Sequence, residues 1–235
     1  MIVIPARMGS ERFYGKPLYN LLGKPMVQWV WENAKKLKGI DEVIVATDSQ
    51  QIKDKVKEFG GKSIITSKDC FSGTDRVAEI AEIIEVDYYV NLQGDEPTID
   101  PKNLEILINS LLKGYEMATL DFQLGEEDAK NPDVVKIVKD INNFALYFSR
   151  SPIPYPRNLK IFRKHIGIYG YKRETLLKLV SLSPSPLEKA EGLEQLRALY
   201  NGIKIYVEEA LSDSISVDTL EDAKKAEEYL KRRKS

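Results

Sequence analysis

The sequence predicts an α/β fold in which a mainly parallel sheet is covered by helices on both faces, with a smaller arm in the second half. Two observations carry this. Short apolar runs alternate with helix-spaced segments through the first half of the 235 residues, the pattern of a parallel sheet buried on both sides. Polar, glycine-bearing clusters follow the strand-like runs, where ligands bind in such sheets.

Taken in order, Ile2–Ile4 is strand-like and stops at Pro5. From Pro25 to Leu37, apolar residues recur at Met26, Val27, Val30, Trp31, Ala34 and Leu37, a helical spacing. Glu42–Ala46 reads as a strand, Gln51–Phe59 as a short helix ending at Gly60-Gly61, and Ser63–Ile65 as a strand. Thr74–Ile84 is a helix, Tyr88–Leu92 a strand and Pro101–Leu112 a helix. Met117–Leu124 and Val134–Val138 are strand-like, and Phe144–Arg163 is rich in proline and aromatics. Ile166–Tyr171 is a strand, Thr175–Leu182 and Pro186–Tyr200 are helices, Ile203–Val207 is a strand, and Leu220–Lys234 is a charged terminal helix. Residues 1–235 read as a single domain, and residues from about 134 to 200 as an arm inserted into the sheet. The arm's aromatics point to a partner subunit or to inward packing.

Composition narrows the function classes. With 35 basic and 36 acidic residues the formal net charge is −1, so no global field favours nucleic acid or a membrane surface. The single cysteine, Cys70, excludes an internal disulfide, and the single histidine, His165, excludes a multi-histidine metal site. A metal would be held by carboxylates, which favours magnesium or manganese. No apolar stretch reaches the roughly 20 residues of a membrane span, and the chain opens on a strand-like run rather than a targeting segment. A cytoplasmic protein is expected.

The segment IVIPARMGSERFYGKPL, residues 2–18, turns on glycine after the first strand and carries Arg7, Arg12 and Lys16. Such a loop suits a triphosphate. It is not a Walker loop: five residues separate Gly9 from Gly15, and Pro17 follows Lys16 where a hydroxyl is needed. Asp95, in the turn GDEP after a strand, is placed either to reach a metal or simply to make the turn. Asp218, in VDTLEDA, would pair with Asp95 as a metal site, or Asp218 or Thr219 would cap the last helix. Spacing does not choose. Ser72-Gly73-Thr74-Asp75-Arg76 is either an anion-binding helix start or an ordinary cap. The clusters Pro5–Lys16, Thr47-Asp48-Ser49 and Gln93–Pro97 should gather at one sheet edge.

The motifs IPARMGSER-x-x-GKPL, VATDS, SGTDR, VNLQGDEP, YFSRSPIPY, HIGIYGY, SPLEKAEGLEQLR and VDTLEDA occur in this order from Ile4 to Ala223. In that order they closely resemble those of the 3-deoxy-manno-octulosonate cytidylyltransferases, the CMP-KDO synthetases of lipopolysaccharide biosynthesis. The resemblance implies a Rossmann-like nucleotidyltransferase fold and the magnesium-dependent reaction of CTP with KDO to give CMP-KDO and pyrophosphate. The anomeric hydroxyl would attack the α-phosphorus in line. It further implies that Arg7 and Lys16 contact the phosphates, that Ala6 lies near the nucleotide, and that Thr74 and Arg76 help hold CTP. Gln93 would lie between nucleotide and sugar, and Asp95 and Asp218 would ligate magnesium. Arg150, His165, Tyr169, Glu194 and Gln195 would line the sugar pocket, and the enzyme would be a homodimer. One departure is visible. The family's Arg-Leu-Pro-Gly-Lys-Pro loop here reads Phe13-Tyr14-Gly15 after Arg12, and losing the proline frees a backbone angle. The nearest alternative is the same chemistry on sialic acid or an 8-amino KDO. Alternatives of other classes are a glycosyltransferase consuming a nucleotide-sugar and a non-catalytic nucleotide-binding module.

Overall fold

The computed structural model describes residues 1–9 and 13–234. Arg12 therefore lies outside the described residues. The chain divides into two compact units, residues 1–105 with 214–235, and residues 106–213.

The first unit holds β1 (Ile2–Ala6), the hairpin β2 (Asn20–Leu21) and β3 (Lys24–Pro25), α1 (Met26–Ala34), β4 (Val43–Thr47), α2 (Gln50–Glu58), β5 (Lys62–Ile65), α3 (Gly73–Ile83) and β6 (Tyr88–Asn91). β1 pairs in parallel with both β4 and β6, and β4 with β5. β1 and β4 are buried along their whole length, as their unbroken apolar sequences require of strands covered on both faces. The chain moves from β1 outward through β4 to β5, then returns to place β6 on the other side of β1. That reversal makes the carboxyl ends of β1 and β6 the switch point, where an open α/β sheet leaves a crevice. The three-residue turn Lys16–Leu18 forms a 3-10 helix behind Gly15, whose φ of 70° is the left-handed conformation that glycine adopts without a Cβ penalty.

α4 (Pro101–Leu112) carries the chain into the second unit. There β7 (Met117–Leu124), α5 (Glu126–Ala129), β8 (Lys136–Lys139), β9 (Ala145–Ser149), β10 (Phe162–Lys172), α6 (Arg173–Ser181), α7 (Pro186–Glu191), α8 (Gln195–Tyr200) and β11 (Tyr206–Glu209) follow. β7 pairs antiparallel with β10 and parallel with β11, while β8 pairs antiparallel with β9 and β10. The single helix expected over Pro186–Tyr200 is two helices. Gly192 takes a left-handed φ of 64° and ends α7, the usual way for a helix to terminate. The proline-rich block conceals β9, and the short hairpin β2–β3 has too few residues to show a period.

The last helix, α9 (Leu220–Lys234), returns the chain to the first unit. Ala223, Ala226 and Leu230 pack with Leu21, Met26 and Trp29 into one core cluster. Trp29 adds a hydrogen bond from its indole Nε1 to the Leu21 carbonyl at 2.7 Å. This packing sets the approach of the preceding segment, residues 214–219, to the sheet. Among the described residues, no helix is long and apolar enough to cross a membrane.

Candidate active site

The residues that follow β1 and β6 surround a cavity of about 500 Å³ in the first unit. Its wall includes Ala6, Arg7, Gly9, Lys16, Gln93, Asp95 and Asp218, with Cys70–Gly73 and Arg76 from the start of α3. Two of the three polar clusters expected at this edge are there. The third, Thr47–Ser49, does not line the cavity because its groups are engaged locally. Thr47 Oγ1 accepts from the Ser49 amide, and Ser49 caps α2. Asp48 acts through Arg76, described below.

Backbone bonds explain how Asp95 and Asp218 come together. The Val217 amide donates to the Asp95 carbonyl at 2.8 Å, and the Ile215 amide donates to Thr98 Oγ1 at 2.7 Å. The segment before α9 is thereby laid alongside the GDEP turn. Capping of α9 falls to Thr219 and Asp222, which bond reciprocally through side chain and backbone. The Asp218 carboxylate instead accepts from Lys16 Nζ at 3.0 Å, and Asp95 accepts from the same ammonium at 2.5 Å. The Val217 carbonyl accepts from it at 3.2 Å. Burial alone would lower the Lys16 pKa, but the Asp95 and Asp218 carboxylates outweigh it and hold the pKa above its ordinary value. The lysine is therefore a fixed cation between two anions. The Arg7 side chain is exposed, lines the cavity and makes no bond to another described residue.

Two carboxylate oxygens gathered round a cation fit magnesium or manganese in kind, since both are hard ions that take oxygen ligands. Among the described residues, no group of three His, Cys, Asp or Glu side chains could complete such a site. The remaining ligands must come from phosphate oxygens and water, as is usual for magnesium beside a nucleotide.

At the start of α3 the cap is Ser72, in a reciprocal box with Asp75. Thr74 does not line the cavity. It is buried, and its hydroxyl accepts from Asn91 Nδ2 at 3.3 Å, while Asn91 Oδ1 accepts from Gln93 Nε2 at 2.9 Å. Thr74 thus orients Gln93 through Asn91. Arg76 is 2% exposed and held on three sides. It donates to Asp48 Oδ2 at 2.5 Å, Thr66 Oγ1 at 2.7 Å and the Ser67 carbonyl at 3.0 Å. Its main work is to join β4 and the β5–α3 loop to α3, with one edge left on the cavity. Asn91 and Thr66 escaped the sequence reading, which placed Asp48 at this edge without its link to Arg76. The one signal for Asn91 is a polar residue closing an apolar strand. The Cys70 thiol donates to Glu79, and burial and that bond push its pKa up to about 12, which rules it out as a nucleophile at neutral pH.

The five residues expected to meet the sugar all belong to the second unit. His165 and Tyr169 are together: their rings are 5.3 Å apart, and Phe148 meets His165 edge-on at 5.0 Å. The Thr119 hydroxyl donates to the Ile168 carbonyl at 2.8 Å and faces His165 Nε2 at 3.0 Å. With its own proton so placed, Thr119 is an acceptor for Nε2–H, which leaves Nδ1 unprotonated. Tyr169 is buried with its hydroxyl unpartnered, and burial, then Tyr171 and Glu194, push its pKa well up. Arg150 is held by Glu191, donating through Nε to the Glu191 carbonyl at 2.9 Å, and through Nη1 to the Pro132 carbonyl at 3.0 Å. Gln195 is buried at the start of α8, just after Glu194.

Burial, then Lys164, pushes His165 down to about 3 from the 6.5 of a free side chain. The imidazole is neutral in the folded protein, while the unfolded chain binds a proton below pH 6.5. Stability is therefore full above that pH and is lost progressively as pH falls towards 3, by up to about 1.4 kcal/mol per unit. His165→Gln should flatten this slope in acid melting curves. Turnover of the wild type between pH 6 and 8 should show no inflection from a histidine.

A family model for cytidylyltransferases matches residues 1–205. The chain is 47% identical to a 3-deoxy-manno-octulosonate cytidylyltransferase of Fusobacterium nucleatum, over 97% of this chain and 96% of that one. It is 45% identical to an 8-amino-3,8-dideoxy-manno-octulosonate cytidylyltransferase of Shewanella baltica, over 97% of each. The solved structure of a CMP:2-keto-3-deoxy-manno-octonic acid synthetase complexed with CTP superposes with a TM-score of 0.95. It is 44% identical and covers 99% of this chain and 98% of its own.

Proposed function

The chain belongs to the cytidylyltransferase family, and on that premise we propose that it activates KDO for lipopolysaccharide biosynthesis, converting CTP and KDO to CMP-KDO and pyrophosphate. The observation that carries this reading is the Asp95–Lys16–Asp218 cluster, set at the carboxyl ends of β1 and β6 beside Arg7, which has no bonding partner among the described residues. Cations and metal-ligating oxygens are what a triphosphate needs there, and the near full-length likeness to a CTP-bound synthetase supports the nucleotide. Asp95 and Asp218 would hold magnesium, which when bound neutralises charge on the phosphates. Lys16 and Arg7 bring further positive charge to the oxygens from which pyrophosphate departs. Gln93, fixed through Asn91 and Thr74, orients the nucleotide towards the acceptor. Ala6 and the edge of Arg76 complete the wall. The anomeric oxygen forms its bond to the α-phosphorus as the bond to pyrophosphate breaks, and its proton is released. No covalent intermediate is needed, which suits a cavity whose only thiol stays protonated.

Arg150, His165, Tyr169, Glu194 and Gln195 are the groups proposed to receive the acidic sugar, with neutral His165 and the unpartnered Tyr169 hydroxyl as hydrogen-bonding groups. The Shewanella relative favours a second reading, the 8-amino sugar, because it is almost as similar as the KDO enzyme from Fusobacterium. We extend the proposal to a cytoplasmic homodimer formed through the arm. Leu146, Tyr155, Leu159 and Ile161 are exposed there, so light scattering should give twice the chain mass of 26.8 kDa.

Pyrophosphate release from CTP and magnesium tests the main reading, with KDO, 8-amino KDO and sialic acid as parallel acceptors and UTP as a parallel donor. Release that requires both CTP and KDO is expected. Release with only one of the other sugars would keep the chemistry and replace the substrate. No release with any sugar, in a folded protein that binds CTP, would overturn the reading.

A further inference from the structure

We propose that Lys16 is an internal counter-cation that closes the metal site of the free protein, so that the divalent ion binds well only after the triphosphate has drawn the lysine away. The inference rests on the reading of Asp95 and Asp218 as the metal ligands. The Lys16 ammonium is 2.5 Å from Asp95 Oδ2 and 3.0 Å from Asp218 Oδ1, so the two oxygens are no further apart than those distances together. A magnesium ion bonded to both at about 2.1 Å would overlap the ammonium or stand within a few ångströms of it. Two like charges would then compete for one pair of carboxylates in a site where Lys16 is 15%, Asp95 20% and Asp218 39% exposed, so that water screens the Asp95 contact least. Both cations cannot hold the pair at full strength.

The lysine can leave because its charge rides on a flexible four-carbon stem. It has somewhere to go only when an anion fills the cavity. Among the described residues of the wall, the charged groups besides Lys16, Asp95 and Asp218 are Arg7 and Arg76, both cations. A triphosphate supplies an anion, and the place that the ammonium held between the two carboxylates is then open to a divalent cation. Nucleotide and metal therefore bind with positive coupling, each favouring the arrangement that the other uses. The same contact opposes the holding of a divalent ion by Asp95 and Asp218 in the free enzyme. It also keeps those carboxylates from repelling each other when the site is empty.

The test is manganese binding to the protein without nucleotide, measured by electron paramagnetic resonance of the free ion at pH 7.5. Lys16→Met should bind Mn2+ at least about tenfold more tightly than wild type, a coupling of the usual size. Removing any positive charge strengthens cation binding somewhat, so Arg7→Gln is the control. It removes a charge from the same cavity without emptying the space between the carboxylates, and should change affinity far less. Mn2+ should also raise the melting temperature of Lys16→Met more than that of wild type, because a ligand stabilises only the state that binds it. Adding Asp218→Asn to Lys16→Met should abolish the gain. Equal Mn2+ affinity in wild type and Lys16→Met, with binding still dependent on Asp218, would overturn the gating role and leave the metal site standing. Equal gains from Lys16→Met and Arg7→Gln would also overturn it, reducing the effect to general charge. Absence of any Asp218-dependent Mn2+ binding, with or without CTP, would remove the metal reading and the inference with it.

Discussion

Asp95→Asn should lower pyrophosphate release by about 10³-fold at saturating CTP and sugar while leaving the protein folded. The rate effect is large because the asparagine keeps the shape of the side chain and removes the charge. A neutral amide is a poor magnesium ligand, and the charge stabilisation that a metal gives a leaving pyrophosphate is worth several kcal/mol; a thousandfold corresponds to about 4 kcal/mol. The stability effect is small because Lys16 keeps Asp218 and the Val217 carbonyl as partners, and a partly exposed ion pair contributes about 1 kcal/mol or less. For a chain of this length that is a shift of about 2–4 °C in Tm. Asp218→Asn should behave alike, and the two together should cost little more than either one, because on the proposed reading both would ligate the same ion. A rate within tenfold of wild type in Asp95→Asn, with magnesium as the only divalent ion, would take Asp95 out of the mechanism.

Much of this site is legible in the sequence because it hangs on short, local relations. Ile2–Ala6 and Tyr88–Asn91 announce themselves as buried strands, and Arg7, Gln93 and Asp95 follow them within a few residues. The meeting of Lys16 with Asp218 is of another kind. It spans 202 positions and depends on α9 packing against Leu21, Met26 and Trp29, which brings Val217 beside the GDEP turn. No local pattern encodes that distance, and VDTLEDA taken alone reads equally well as a cap. Thr219 does the capping, and only the fold reveals that Asp218 is left for Lys16. The same limit explains Thr74 and Arg76. Their motif marks a helix start at the right place, but whether a side chain faces the cavity or the neighbouring strand is decided by Asn91, Asp48 and Thr66. Each of these lies on a different strand or loop. Resemblance to a family nominates residues for the site, whereas the hydrogen bonds separate those that line the cavity from those that hold its lining in place.

Gly94→Ala is the strongest test of that support, because it changes no chemical group in the cavity. A Cβ on Gly94 would lie 2.8 Å from the Pro5 carbonyl oxygen, with Ala6 Cβ at 3.6 Å and Ile4 Cγ2 at 3.7 Å. The group it meets is backbone at the end of β1, which has no flexible end to swing aside. Either the GDEP turn or the end of β1 must therefore shift, and the bond from the Gly94 amide to the same carbonyl, 3.3 Å in the native structure, stretches with it. Asp95 is the next residue, so its carboxylate moves off the Lys16–Asp218 cluster. A misplacement near 1 Å costs about 10²-fold in rate, and inserting a methyl where nothing yields costs about 1–3 kcal/mol in stability. Gly9→Ala, in the loop after the same strand, has no described residue's atom within 4 Å of its would-be Cβ and should melt like wild type. Parallel melting curves and pyrophosphate assays decide the matter. Loss of rate in Gly94→Ala with a modest fall in Tm places the cost in the positioning of Asp95. A wild-type rate would mean that the turn relaxes without moving the carboxylate, and that the close approach of Gly94 to Pro5 is a packing contact alone.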